Sequence, residues 1–414
     1  MSASAEKFVS LTEKQRAHFT WLEAPYLKRV IAALEAVEPD AARYVGGCVR
    51  DSLLGHEPKD FDVATALEPD VVMAALKKAN LGAAPTGIDH GTITAIADHQ
   101  GVEVTTLRAD VSTDGRRATV AFTRDWAIDA SRRDFRINAV YLTPDGRLFN
   151  PVGGVEDARE KQVRFIGKAE QRIREDYLRI LRFFRFTARF SKSFDPAGLA
   201  ACASLKAGIG QLSAERVGAE FMTILALPCA VFALKAMQDS GVLKEIWPAE
   251  ADIEAADRLK TIDALASSPL MLAVLYGEDG GGVGQRLRLS NAGKAVRTHA
   301  LKAMTEISSE LSDQEIRALI YRLGKDVFTA AAAAAGAFQK IDEVAYRRLK
   351  TIADQWAPPV FSISGKDIVA AGIAPGPDIA AILKAVETQW IAENFPPGGR
   401  AKEILSEQLK IRNS

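Results

Sequence analysis

The chain has 414 residues, 48% hydrophobic and 26% charged, with Lys+Arg and Asp+Glu at 53 each. That length allows roughly two to four domains with substantial cores, and zero net charge means that a polyanion must be met by a local basic patch rather than by a global field. Cys48, Cys202 and Cys229 show no CxxC spacing, which argues against structural zinc or a disulfide framework; no apolar run reaches the roughly 18 residues of a membrane span, the opening MSASAEKFVSLTEKQ has no apolar signal region, and the expected location is cytoplasmic.

Residues 11–38 are expected to form one helix, because Leu22, Tyr26, Leu27, Val30, Ile31 and Leu34 recur at helical spacing. Residues 43–46 read as a short strand running into Gly46 and Gly47, and 48–54 as the first turns of a helix ending near Gly55. A glycine turn between strand and helix leaves backbone N–H groups free for a phosphate, although neither a P-loop nor a dinucleotide fingerprint is present. Residues 59–65, KDFDVAT, read as a strand whose two-residue period puts Asp60 and Asp62 on one face and Phe61 in the core. Neighbouring carboxylates repel unless a cation lies between them. Hard cations such as Mg²⁺ take oxygen ligands and share them with substrate phosphates, so the first expectation is a two-metal phosphoryl or nucleotidyl transfer site. A bare Asp-x-Asp is more often a solvated loop, and the case rests on its surroundings.

Residues 69–80 read as a helix, and 91–97 and 101–107 as β-branched strands. In the second strand Glu103 lies opposite Val102 and Val104, as a third carboxylate of the site or as a solvent-facing residue. Residues 109–124 are polar and aperiodic, and are expected to be a functional loop. Arg132, Arg133 and Arg136 precede an apolar strand, Ala139 to Leu142; they fit a triphosphate clamp or, more blandly, a charged helix surface. Residues 150–157 hold a second glycine turn, and 159–192 are strongly basic. Within them 175–190 reads as one helix, with Arg179, Arg182, Arg185 and Arg189 on one stripe and Leu178, Leu181, Phe184 and Ala188 on another. Such a row of cations needs an anion or acids from elsewhere beside it. After 193 the pattern is helical, in segments 213–227, 230–245, 255–275, 286–305, 312–323 and 326–350, interrupted by a glycine loop at 277–284. The alanine run 330–335 reads as helix filler, and 365–391 as two short helices that either touch RNA phosphates or close the domain.

These pieces stand in one order: GGCVRDSLLG, DFD, VEVTTLR, RRDFRINA, PVGGVED, EDYLRILRFFRF. That order resembles the eubacterial and eukaryotic type of CCA-adding tRNA nucleotidyltransferase and its relative, bacterial poly(A) polymerase, closely over about residues 43–220 and loosely beyond. The resemblance implies an α+β fold: a polymerase β-like nucleotidyltransferase head of mixed sheet, then an all-α neck, body and tail. It divides the chain into an N-terminal helical segment (1–42), the head (43–150), the neck (151–225) and a tRNA-binding body and tail (226–414). It implies template-independent addition of C, C and A to tRNA from CTP and ATP, with Mg²⁺ as cofactor and pyrophosphate as product. By position, Gly46 and Gly47 would admit the nucleotide phosphates and Arg50 would contact the nucleotide. Asp60 and Asp62 would hold the metals and Glu103 would help to position or deprotonate the RNA 3′-hydroxyl. Arg132, Arg133, Asp134 and Asn138 would bind ribose and triphosphate. Glu175, Asp176 and Arg179 would act as an amino-acid template, with Arg182 and Arg185 in phosphate and stacking roles.

The chemistry suits the template. Cytosine and adenine each offer an amino donor beside a ring acceptor, which an Asp acceptor and an Arg donor match. Uracil and guanine present the wrong pattern to the acid, and a buried mismatch costs ~1–3 kcal/mol. Poly(A) polymerases of this type carry a basic segment ahead of the acidic strand, whereas this chain has TGIDHGTITAIADHQGVEV. Full CCA addition is therefore favoured over A-only or poly(A) addition. A non-catalytic RNA-binding protein would have no use for Asp60, Asp62 and Glu103 together.

Overall fold

The structure, a computed structural model, describes residues 8–114, 117–277 and 282–413, with backbone alone at 110–114, 117–120 and 412–413. Residues 1–7, and parts of the expected 109–124 loop and of the glycine loop at 277–284, lie outside the described residues. Contacts divide the chain into two units, Met1–Pro248 and Ala249–Ser414.

The strands of the first unit are β1 (Phe8–Ser10), β2 (Ala42–Val45), β3 (Asp62–Thr65), β4 (Gly82–Gly87), β5 (Thr92–Ala97), β6 (Gln100–Thr106), β7 (Arg108–Asp114), β8 (Arg117–Phe122), β9 (Tyr141–Leu142) and β10 (Arg147–Phe149). Its helices are α1 (Glu13–Arg16), α2 (Pro25–Glu35), α3 (Gly47–Leu53), α4 (Pro69–Lys78), α5 (Trp126–Ser131), α6 (Gly154–Glu160), α7 (Ala169–Glu175), α8 (Leu178–Phe190), α9 (Pro196–Leu205), α10 (Ala214–Ala226), α11 (Ala230–Asp239) and α12 (Val242–Ile246). Eight strands make one sheet in the order β1-β10-β9-β2-β3-β6-β5-β4, and β7 pairs only with β8. Strands β3 and β6 run parallel, joined by a crossover that contains α4; the other neighbours in the sheet are antiparallel.

Period-two burial gives the sheet two packed faces. Tyr44, Val63, Val102 and Val104 join the core beneath α2 and α4. Val45 and Ala64 point the other way, onto Trp126 and Ala130 of α5 and onto Tyr141. Arg43 shares this second face, its guanidinium stacked 4.1 Å from the Trp126 ring centre. Asp62, two residues before Ala64, belongs to the α5 face, while Phe61 packs against the α2 core with its ring centre 5.0 Å from that of Trp21.

Several local expectations are corrected. The single helix at 11–38 is three pieces: α1, closed at its start by a Thr12–Gln15 capping box; a 3-10 turn at Thr20–Glu23; and α2, which starts on Pro25. Asp60 precedes the strand rather than lying in it, since β3 begins at Asp62. The expected loop at 109–124 is largely the ribbon β7–β8, closed at its base by Thr123 N–H donating to the Leu107 carbonyl. Strand β4, GAAPTG, has little β-branched character and pairs with β5 through a bulge. The helix at 175–190 is broken: α7 ends at Glu175, Asp176 is extended (φ −157°, ψ 107°), and α8 begins at Leu178.

The second unit is helical among its described residues. The segments at 255–275 and 326–350 each split in two, the first around Pro269 at the start of Ser268–Tyr276 and the second after Lys325–Ala337. Ala331 to Ala335 are fully buried there, so the run is core rather than filler. The helices Gly365–Ala370 and Pro377–Ala392 close over Ile368, Ile382, Val386 and Trp390. Among the described residues no helix is long and apolar enough to cross a membrane.

The α7–α8 break has a physical seat. Tyr177, between Asp176 and α8, lays its ring on Gly208, where a Cβ would come within 2.0 Å of the ring carbon Cδ1. Gly208→Ala must displace Tyr177, so its denaturation midpoint is expected to fall by an amount equivalent to about 1–3 kcal/mol.

Candidate functional site

A cleft of about 370 Å³ opens at the end of β2, where the sheet meets α8. Gly46 makes the turn from β2 into α3 with φ 74° and ψ −124°, a conformation suited to glycine. A Cβ at this position would lie 3.5 Å from Asp62 Oδ2 and 3.9 Å from Arg133 Nη1, so any side chain would intrude between them. Asp62 stands beside Glu103 because the parallel register pairs the two residues. Asp60 is exposed just ahead of the strand, close enough to act on Asp62 electrostatically.

Burial and repulsion from Glu103 push the Asp62 carboxyl from 3.8 up to about 6, against the pull of Arg133. This is an anionic cluster whose charge Arg133 offsets only in part, and oxygen donors of this kind suit a hard divalent cation. Among the described residues no three acidic, His or Cys side chains form a ready-made cage. A cation would therefore be completed by oxygens of a bound phosphate, as is common for Mg²⁺.

The opposite wall is cationic. Arg132 and Arg133 follow α5 and both line the cleft. Asp129, on α5, receives both: Arg132 Nη2 lies 2.6 Å from its Oδ1 and Arg133 Nη2 3.1 Å from its Oδ2. Behind them runs a chain of buried polar groups. Arg50 donates to Asp51 (2.7 Å) and to Asn138 (2.9 Å), Asn138 donates to Asp134 (2.9 Å), and Arg182 of α8 donates to Asp134 (2.8 Å). Burial pushes the Asp134 carboxyl up, but Arg182 and the Asn138 amide outweigh it and hold it below the usual range. The Arg50 guanidinium also lies over the rings of Phe186 and Phe190, at 5.1 and 4.8 Å.

The α7–α8 break supplies the third wall. Arg179 donates to Glu175 (2.6 Å) and to the Arg132 carbonyl (3.1 Å), which ties it to the wall of α5. Asp176 accepts from the Leu178 N–H (3.1 Å) and from Arg216 of α10 (2.8 Å). Asp176 and Arg179 line the cleft with Gly46, Gly47, Arg50, Asp62, Asp134, Asn138 and Arg182. Glu103 and Glu175 are not among the lining residues; the first adjoins Asp62 in the sheet and the second pairs with Arg179. Arg185 is drawn away from it onto Glu220 and lies over Phe186 at 4.4 Å.

Sequence reasoning missed Asp129, Asp51, Arg216 and Phe186. Asp129 had a readable signal, because an acid three and four residues ahead of two arginines on a helix is an ion-pair spacing. Arg216 acts across a long sequence separation, and Asp51 and Phe186, which also meet neighbours close in sequence, reach Arg189 and Arg50 only through the fold.

The raised Asp62 carboxyl, lifted by burial and then by Glu103, has a stability signature. A carboxyl whose value is higher in the folded chain than in the unfolded one costs stability as it ionises: the cost is absent below about 3.8, grows as pH rises through about 6 and is constant above. In chelator, Asp62→Asn is expected to raise the denaturation midpoint at pH 8 by about 1–2 kcal/mol equivalent, with no gain at pH 4.

The Poly A polymerase head domain matches residues 42–164, and the probable RNA- and SrmB-binding site of polymerase A matches residues 193–253. The chain is 35% identical over 369 residues to the mouse (Mus musculus) mitochondrial CCA tRNA nucleotidyltransferase 1, covering 87% of this chain and 85% of that one. It is 29% identical over 371 residues to the CCA-adding enzyme of Levilactobacillus brevis, covering 86% and 90%. The fold is similar to that of the Bacillus stearothermophilus CCA-adding enzyme solved in complex with CTP, with a TM-score of 0.73 at 23% identity over 94% of this chain and 99% of that one. With Asp62, the arginine wall and the Asp176–Arg179 pair meeting in one cleft on this fold, the chain belongs to the family of CCA-adding tRNA nucleotidyltransferases.

Proposed function

We propose that this protein completes the 3′ end of tRNA by adding C, C and A from CTP and ATP without a nucleic-acid template. The observation that carries the reading is the convergence in one cleft of a carboxylate, two cleft-lining arginines and an Asp–Arg pair. A triphosphate lies against Arg132 and Arg133, where the close backbone of Gly46 leaves it room. The base reaches the α7–α8 break, where Asp176 accepts from its amino group and Arg179, held by Glu175, donates to its ring acceptor. Asp60 and Asp62 would hold Mg²⁺, which when bound neutralises phosphate charge and acidifies the attacking hydroxyl. Glu103 orients the primer 3′-hydroxyl or takes its proton. The hydroxyl oxygen bonds to the α-phosphorus as the bond to pyrophosphate breaks. Free Cys48, Cys202 and Cys229 suit a reducing compartment, and we place the work in the cytoplasm.

Transfer RNA ending at the discriminator base, given Mg²⁺ and labelled nucleotides, is expected to gain two C and then one A. Addition of A alone, or of a run of A, would point to the A-adding or poly(A) activity instead. Asp60→Ala and Asp62→Ala are each expected to abolish transfer while tRNA retention on a filter persists; surviving activity would remove the metal assignment. Asp176→Ala and Arg179→Ala are expected to raise UTP or GTP incorporation relative to CTP by ~10-fold, the scale of one lost buried hydrogen bond, read by single-nucleotide extension.

A further inference from the structure

Arg132 and Arg133 are adjacent cations at the end of a short helix, and unaided they would repel and point apart. Asp129 holds both. It is 1% exposed and does not line the cleft. Its Oδ1 accepts from Nε and Nη2 of Arg132 at 2.9 and 2.6 Å. Its Oδ2 accepts from Nε and Nη2 of Arg133 at 3.3 and 3.1 Å, and from the Tyr141 hydroxyl at 2.6 Å. The same Oδ1 accepts the backbone N–H of Arg108, the first residue of β7, at 3.0 Å. One carboxylate thus joins α5, β9 and the root of the ribbon.

The edges used decide what is left. Both arginines give Asp129 their Nε/Nη2 edge, so Nη1 of each has no hydrogen-bond partner among the described residues. Nη1 of Arg133 is the atom that faces Gly46 across the cleft. The carboxylate takes the back of each guanidinium and leaves the front toward the place where an anion would lie.

We propose that Asp129 is a positioning residue for nucleotide binding, fixing Arg132 and Arg133 so that their free Nη1 edges meet the triphosphate. The proposal rests on the reading of those arginines as the triphosphate contact. It opposes simple electrostatics, and this makes it testable by sign. Removing a negative charge behind two cations strengthens the positive field, so if the arginines acted only as diffuse charge, losing Asp129 would tighten nucleotide binding. If their geometry matters, the loss weakens it.

The experiment is steady-state extension of tRNA lacking its 3′ end by Asp129→Asn, with Arg133→Ala as reference and the active fraction set by tRNA-binding stoichiometry. Asp129→Asn is expected to raise KM by ~10-fold, the scale of a lost charge-assisted hydrogen bond, by the same factor for CTP and ATP and with kcat changed much less. An unchanged or lowered KM overturns the proposal. If Asp129→Asn does not fold, Tyr141→Phe decides: it keeps all three charges and removes only the hydroxyl that bonds Asp129 and Arg133. A KM raised for both nucleotides supports the proposal, and an unchanged KM overturns it. Should Arg133→Ala itself leave KM unchanged, the triphosphate reading fails; should it raise KM while Asp129→Asn does not, only the role of Asp129 fails.

Discussion

The structure turns on a repulsion. The parallel pairing of β3 with β6 places Asp62 beside Glu103, with Asp60 close by, and no group among the described residues cancels that charge completely. Arg133 approaches from the opposite wall and offsets part of it. A half-buried carboxylate lifted to about 6 is costly to keep, and the fold accepts the cost where a cation and a phosphate are expected to share the space. The glycine turn at Gly46 follows from the same constraint, since a side chain there would fill the gap between Asp62 and Arg133.

Around that centre the cationic groups are held in place by acids from other elements. On α8, Arg179 is tied to Glu175, Arg182 to Asp134, Arg185 to Glu220 and Arg189 to Asp51. The stripe that reads in sequence as an unbalanced row of charge is therefore a row of ion pairs fastening the helix to α7, to α3, to the segment after α5 and to α10. Arg179 and Arg182 face the cleft all the same, so pairing and ligand contact are not alternatives for these residues. A guanidinium has five donors and can give one edge to a carboxylate and another to a ligand.

What the sequence made legible was whatever repeats locally. The two-residue period of β2, β3, β5 and β6 and the order of the motifs carried the α+β head and its carboxylates, and helical spacing carried the second unit. Three kinds of feature did not show. The ribbon β7–β8 shows no clear apolar periodicity in its sequence, and among the described residues it shares no ladder with the main sheet. The break between Glu175 and Leu178 contains neither Gly nor Pro; it is made by Tyr177 settling on Gly208 and by Asp176 accepting the Leu178 N–H, contacts that depend on the finished fold. Asp129 has a helical ion-pair spacing to its arginines, but its burial, and with it its hold on Tyr141 and Arg108, depends on α5 lying against the sheet.

The ribbon has a consequence of a different kind. It shares no ladder with the eight-stranded sheet and is rooted by Leu107, Thr123 and the Asp129 carboxylate. Residues can be gained or lost along its two strands without slipping the register of any strand that bears a functional side chain. A change of length outward of the root therefore leaves the ladder of the main sheet in register, whereas a change at the root acts on a carboxylate that also holds the arginine wall.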